Sequence, residues 1–329
     1  MENLKILRRQ KRCFYKLDHM HHIEQLTDLI RLTSDTGAVA EIIPGCGALL
    51  NHFSIPVGGK PLNVIDGFED PAAARTQIKP AFQSAKLSPF VCRIQDARYQ
   101  YQGALYALEK FTLKGSAIHG LLFDEPFTVV DSSADNGSAS VAMRYEYRGS
   151  DPGYPWSFDC TVRYTLKGDT IRLETEVINR NHGSLPLADG WHPYFTLGKP
   201  IDELELQFHA HEMLEFANLI PTGRRLNNAR FNRLEKIAHT ELDNAFVLDA
   251  HFEGPACVLR DPAAKVAIEI RPDKSYPILQ LYTPPHRKSI AIENLSGAPD
   301  NFNNGIGLLE LQPGEQQSFS TEYSIRIIP

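Results

Sequence analysis

A histidine surrounded by aromatics is the first residue in this chain that could do chemistry. In ADGWHPYFTLG, residues 188–198, His192 lies between Gly190 and Pro193 and beside Trp191, Tyr194 and Phe195. The following proline restricts its backbone. Such an imidazole is either a polar core residue or a group held at a defined angle to move protons. A second histidine, His119, precedes Gly120 in AIHGLLF, 117–123. Glu293 stands in SIAIEN, 289–294, Asp243 in ELDNAFVLD, 241–249, and Arg93 and Arg98 in CRIQDARY, 92–99. Each has a plain structural alternative: a histidine in an apolar run is most often a satisfied core residue, and a glutamate in a strand usually faces water. Glu293 has a further feature. Alternation puts Ile290, Ile292 and Asn294 on one face and Ala291 and Glu293 on the other. A carboxylate beside so small a residue suits a pocket base, and it suits an ordinary surface as well.

The elements that must position these groups are strands. SASVAMRYEY (138–147), DCTVRYTL (159–166) and TIRLETEVIN (170–179) alternate with period two, and Lys167, Gly168 and Asp169 between the last two predict a hairpin. Further strands are expected at 38–43, 99–108, 202–208, 265–271, 277–283, 289–294 and 318–328, with a Pro-Gly turn before the last. Helix signals are few: an amphipathic stretch at 23–32 and a short turn at 71–79. Frequent strands and rare helices predict an all-β chain, a large antiparallel β-sandwich with no composition break or internal repeat. Residues 1–30 are expected to be an N-terminal extension and 31–329 a single domain.

Composition narrows the partners. The chain has 329 residues, 42% of them hydrophobic, and a net charge of −6. That is enough for a sizeable core, and the mild acidity argues against nucleic acid as a main partner. No apolar run is long enough to cross a membrane as a helix. The N-terminal stretch MENLKILRRQKRCFYKL is basic but lacks the apolar region and cleavage site of an export signal. Its cations, Lys5 to Arg12, read as a solvated tail rather than a membrane or nucleic-acid arm. Cysteines at 13, 46, 92, 160 and 257 form neither a disulfide framework nor a zinc spacing, which fits a reducing cytoplasm.

Other motifs carry less. GCGALL (45–50) lacks the residues of a dinucleotide or P-loop motif and reads as a tight turn. HMHH (19–22) has no further ligand at zinc spacing. NGS (136–138) and NLS (294–296) match a glycosylation pattern that is expected to be empty.

Taken in order, these segments resemble the aldose 1-epimerase, or galactose mutarotase, family. HPYF (192–195) after a glycine is the most specific mark, and IHGL (118–121) is a second. The stretch Arg93 to Tyr99, LDNAFVLD, LQLYTPP (279–285) and IENLSGAPDNFNNGIGLLELQPGE (292–315) are similar to further family segments. The matches keep the family's order from about residue 30 to the C-terminus. The resemblance implies a galactose mutarotase-like supersandwich with the site in a groove on one sheet. It implies His192 as general acid, Glu293 as general base and His119 near the sugar ring oxygen. Arg93, Asp243 and Gln280 would bind hydroxyls. Two departures stand out: Cys92 where the family often has asparagine, and the bulky Trp191 before His192, with Asp189 close by. Both are expected to reshape the sugar site.

The implied reaction interconverts α and β anomers of a free hexose of the glucose or galactose type. A base takes the C1 hydroxyl proton while an acid protonates the ring oxygen; the open aldehyde rotates and the ring closes again. It needs no cofactor and no metal. The two groups are expected across the pocket from one another. Ordinary values of about 4.3 for glutamate and 6.5 for histidine would leave a carboxylate and an imidazolium near neutral pH. Three alternatives remain. A hexose-6-phosphate 1-epimerase needs extra cations at the rim, for which Arg98 is available. A glycoside hydrolase needs two carboxylates, such as Asp243 and Glu293. A non-catalytic sugar-binding protein needs no matched acid and base. The expected partner is a small monosaccharide, with the chain monomeric or a homodimer.

Overall fold

The period-two runs become long antiparallel strands in a computed structural model that describes residues 20–328. Ser157–Lys167 pairs with Thr170–Asn179 along its length, closed by the two-residue turn Gly168–Asp169. Gly168 has φ 52°, as a turn with glycine at its first central position requires. This hairpin is the middle of a nine-stranded sheet that reaches from Thr128–Ala134 through Gln316–Ile327 to Glu235–Lys236.

An eight-stranded sheet carries the candidate residues. Asp243–Val247, Ile278–Tyr282, Ile290–Leu295 and Gly190–His192 are neighbours in it, in that order, and Tyr194–Phe195 also pairs with Ile290–Leu295. The two sheets pack face to face. Trp191 meets Tyr164 with ring centroids 6.0 Å apart, Phe195 meets Tyr323 at 5.1 Å, and the Thr321 hydroxyl donates to Asn294 Oδ1 at 2.9 Å. Trp191, Phe195 and Asn294 therefore point inward, and alternation sends His192, Tyr194 and Glu293 to the other face. The chain is all-β, as expected, and a large sandwich.

Four expectations change. Residues 23–32 form no helix. His22–Gln25 pairs with Ile30–Thr33 instead, in a five-stranded N-terminal sheet. Ile30 and Leu32 are buried with Arg31 between them, and that alternation outweighs the weak helical stripe. The division expected at residue 30 thus runs through a hairpin. The run 99–108 is two strands, Arg98–Tyr101 and Ala104–Ala107, folded at Gln102 and Gly103, both with positive φ. In 202–208 the first residues make a 3₁₀ turn, Ile201–Glu203, and only Glu205–Phe208 is strand.

The expected turn of helix is Pro71–Ala81, capped by Asp70, whose carboxylate accepts from Ala73 N at 2.7 Å. Asn294 is fully buried and offers no glycan acceptor. The basic run Lys5 to Arg12 lies outside the described residues, as does His19 of HMHH. No helix among the described residues is long and apolar enough to cross a membrane. Cys46, Cys92, Cys160 and Cys257 are free and buried.

Candidate active site

Gly190 sets where His192 stands. A Cβ at Gly190 would lie 2.6 Å from Leu295 Cδ2 and 2.9 Å from Asn294 O, so only glycine lets this strand lie against Ile290–Leu295 at the observed spacing. Gly190 and Trp191 pair with Leu295 and Asn294, which brings His192 level with Glu293. His192 Nε2 is 3.4 Å from Glu293 Oε1, and both side chains are almost fully buried. Of the three aromatics near His192 in sequence, only Tyr194 touches it, stacked at 5.1 Å and 27°. Trp191 and Phe195 belong to the core, so Trp191 does not narrow the cleft as expected.

His119 arrives from another direction. It has φ 60° and Gly120 has φ 79°. A Cβ at Gly120 would sit 2.4 Å from Ser88 O. This bend, with His119 N donating to Cys92 O at 2.8 Å, holds the imidazole against Phe82 at 4.7 Å and His192 at 4.8 Å. Gly120→Ala is expected to destabilise the protein by more than about 1 kcal/mol, because both the φ and the space exclude a methyl group; thermal unfolding measures this.

Glu293 pairs in register with Gln280, and Asp243 with Tyr282. Gln280 Nε2 donates to Asp243 Oδ1 at 2.9 Å. All six expected residues, Arg93, His119, His192, Asp243, Gln280 and Glu293, line one cleft of about 210 Å³. Arg98 does not. Cys92 also lines it, and burial pushes its thiol well above the ordinary range, so it presents a neutral wall. Tyr282, two residues beyond Gln280 on the same strand face, is a lining residue that alternation alone would have found. Ala291 pairs across with both Tyr194 and Tyr282, so the small residue beside Glu293 lies between two lining aromatics.

The cleft has unused hydrogen-bonding capacity. His119 Nδ1, His192 Nδ1, Gln280 Oε1 and Glu293 Oε2 are buried without a partner among the described residues. Arg93 makes no side-chain hydrogen bond there either. Unsatisfied buried groups on this scale ask for a polar ligand. His119, His192 and Glu293 also offer donor atoms within 4.8 Å of one another, a set with which a metal ion could be held.

Burial works against the charges expected from ordinary pKa values. It lowers His192 to about 4. It lowers His119 well below its usual value, helped by His192 and Arg93. It raises Glu293 well above the carboxylate range, with Asp243 adding to the rise and Arg93 opposing it. Burial therefore works toward neutral imidazoles and toward the protonated form of Glu293. The neutral pair and the ion pair differ only by one proton moved between adjacent atoms.

Behind His192 lies a second buried pair. Lys86 Nζ is 2.5 Å from Asp189 Oδ1, both fully buried. Lys86 also donates to Thr175 Oγ1 at 3.0 Å and Gly190 O at 3.3 Å and lies over Trp191 at 4.3 Å. Tyr276 donates to Asp189 Oδ1 at 2.7 Å. Asp189, expected to affect the sugar site directly, instead braces the strand from beneath.

Comparison with known proteins gives the same direction. Residues 28–324 match the family model described as aldose 1-epimerase. The chain is 29% identical to the Escherichia coli protein YihR over 243 residues, covering 70% of this chain and 74% of that one. It is 23% identical to a maltose epimerase of Levilactobacillus brevis over 266 residues, covering 74% and 76%. A galactose mutarotase-like protein of Clostridium acetobutylicum has a similar fold, with TM-score 0.81 at 17% identity, covering 94% of this chain and 98% of that one. The match over residues 28–324 shows that this chain belongs to the aldose 1-epimerase family.

Proposed function

We propose that this protein is an aldose 1-epimerase that interconverts the α and β anomers of a free, unphosphorylated reducing hexose. The observation that carries this reading is the 3.4 Å approach of His192 Nε2 to Glu293 Oε1 on the wall of a monosaccharide-sized cleft. The two groups are side by side rather than across the pocket. That suits the reaction better, because the two oxygens that exchange protons are bonded to the same anomeric carbon. With one proton between them, the pair gives a proton to the ring oxygen and takes one from the C1 hydroxyl. In the ion-pair form His192 is the acid and Glu293 the base, and the roles exchange on closure. Arg93, Asp243 and Gln280 orient ring hydroxyls, with the free guanidinium available for a paired contact. His119, neutral through burial, accepts from or donates to the sugar near its ring oxygen.

The partner that Glu293 meets is an imidazole, which favours epimerisation over glycoside hydrolysis by two carboxylates. Arg93 is the one cation lining the cleft among the described residues, and it faces Asp243 and Glu293, which disfavours a phosphorylated sugar. The polarimetric rate on glucose and galactose, set against the rate on glucose 6-phosphate, tests the reading. The free sugars are expected to be accelerated and the phosphate to be the poorer substrate.

The shifted groups set the pH dependence. Protonation of His192 near pH 4 leaves two protons on the pair and no base; loss of the Glu293 proton above its raised value leaves no acid. kcat/KM is expected to fall on the acid side near pH 4, with any alkaline limb displaced above the ordinary glutamate range. An acid limb at the ordinary histidine value of about 6.5 would contradict the burial argument.

A further inference from the structure

One set of atoms in the cleft matches a second kind of ligand. His119, His192 and Glu293 arrive on three separate segments: the positive-φ bend at 119–120, the strand Gly190–His192 and the strand Ile290–Leu295. Their donor atoms all lie within 4.8 Å of one another, and His192 Nε2 is 3.4 Å from Glu293 Oε1. Zinc binds imidazole nitrogen and carboxylate oxygen at about 2.0–2.2 Å, so two ligands of a tetrahedral ion stand roughly 3.3–3.5 Å apart. The pair already has that spacing, and His119 reaches it with a shift of at most about 1.5 Å. Two histidines and one glutamate, with a fourth position left to water, is a ligand set that open zinc sites use.

A second observation points to a cation. Glu293 is 2% exposed, and its Oε2 has no hydrogen-bond partner among the described residues. A carboxyl so placed is short of partners. The charged side chains lining the cleft are Glu293, Asp243 and Arg93, two carboxyl groups against one guanidinium. Imidazole donors favour a transition ion over magnesium or calcium. His192 also indicates how firmly such an ion is held. The histidine ligand of a resident metal almost always gives its other ring N–H to a carboxylate or carbonyl. His192 Nδ1 is buried with no such acceptor among the described residues. That suits an exchangeable ion and not a permanent cofactor.

We propose that His119, His192 and Glu293 form a reversible inhibitory site for a divalent transition ion of the zinc class. The ion takes up both atoms that handle protons, so metal and sugar exclude one another and the metal-bound enzyme does not exchange anomers. Binding stands on the geometry alone; the inhibition rests on the epimerase reading.

Zn²⁺ binding to the chelator-treated full chain, measured in competition with a chromophoric chelator, tests the site, and NMR exchange of glucose tests its effect. Wild type is expected to bind one Zn²⁺ that shifts the ring signals of His119 and His192. His119→Asn, whose new side chain tolerates positive φ, and Glu293→Gln are each expected to weaken binding by about 100-fold or more, since losing an outer partner alone costs roughly 10–100-fold. Zn²⁺ is expected to raise the apparent KM for glucose with kcat unchanged, an effect that EDTA reverses and excess Mg²⁺ does not reproduce. No Zn²⁺ binding by wild type, ring shifts confined to other histidines, or folded variants that bind as tightly as wild type would each overturn the site. Zn²⁺ bound there with glucose exchange undiminished would overturn the inhibition. Absence of exchange in metal-free wild type would instead overturn the epimerase reading on which the inhibition rests.

Discussion

Replacing Glu293 by glutamine is expected to slow anomer exchange by roughly 10²–10⁴-fold, the usual contribution of one positioned proton-transfer group, while leaving the protein at least as stable as wild type. Glutamine copies the shape of a protonated glutamate but cannot cycle a proton. The stability half of the expectation follows from linkage. Burial raises the Glu293 pKa in the folded state, so the folded protein holds a proton that the unfolded chain has released. That group's contribution is intact below the ordinary glutamate value and is lost as pH rises through the raised folded value. The variant lacks this loss. Its melting temperature, relative to wild type, is expected to climb from acid to neutral pH. A fall in relative stability over that range would mean that Glu293 is buried as a carboxylate, and the assigned charge state would be wrong.

The second large effect is expected at Lys86. Lys86→Met leaves Asp189 fully buried with no cation beside it, and removing one partner of a buried pair typically costs about 3–5 kcal/mol. Burial already pushes the Asp189 carboxyl up, with Lys86 offsetting only part of that rise. The Lys86→Met/Asp189→Asn double variant is expected to regain most of the loss, since the amide is neutral and still accepts from Tyr276. Chemical denaturation of the two single variants and the double variant measures the coupling. Additive losses would show that the pair does not act as a unit. Because Lys86 also holds Gly190 O, the single variant is expected to lower kcat through His192 while unfolding cooperatively.

Much of the site was legible because strand alternation is a strict rule. Period two alone put Glu293 on the face opposite Ile292, and the structure keeps that division: Asn294 bonds inward to Thr321 while Glu293 meets His192. The same rule, applied to WHPYF, would have sent Trp191 and Phe195 to the core and left Tyr194 with His192. Proximity in sequence was mistaken there for proximity in space. The glycines carried real information, since Gly120 and Gly190 sit where another backbone leaves no space for a Cβ.

Other features depended on long-range contacts that no local pattern encodes. The Lys86–Asp189 pair joins residues 103 apart. The N-terminal hairpin is stabilised by a sheet formed with later strands, so a weak amphipathic stripe at 23–32 lost to tertiary pairing. Charge states depend on such contacts as well. Reference pKa values describe solvated groups, and the degree of burial around His192 and Glu293 is a property of the packed sheet.

The central claim is that the His192–Glu293 pair opens and closes one hemiacetal. Two-dimensional exchange NMR on α- and β-glucose at neutral pH, with wild type and folded His192→Ala side by side, tests it most directly. The account predicts strong α/β exchange cross-peaks with wild type and only the uncatalysed rate with the variant. Exchange by His192→Ala close to the wild-type rate would contradict it.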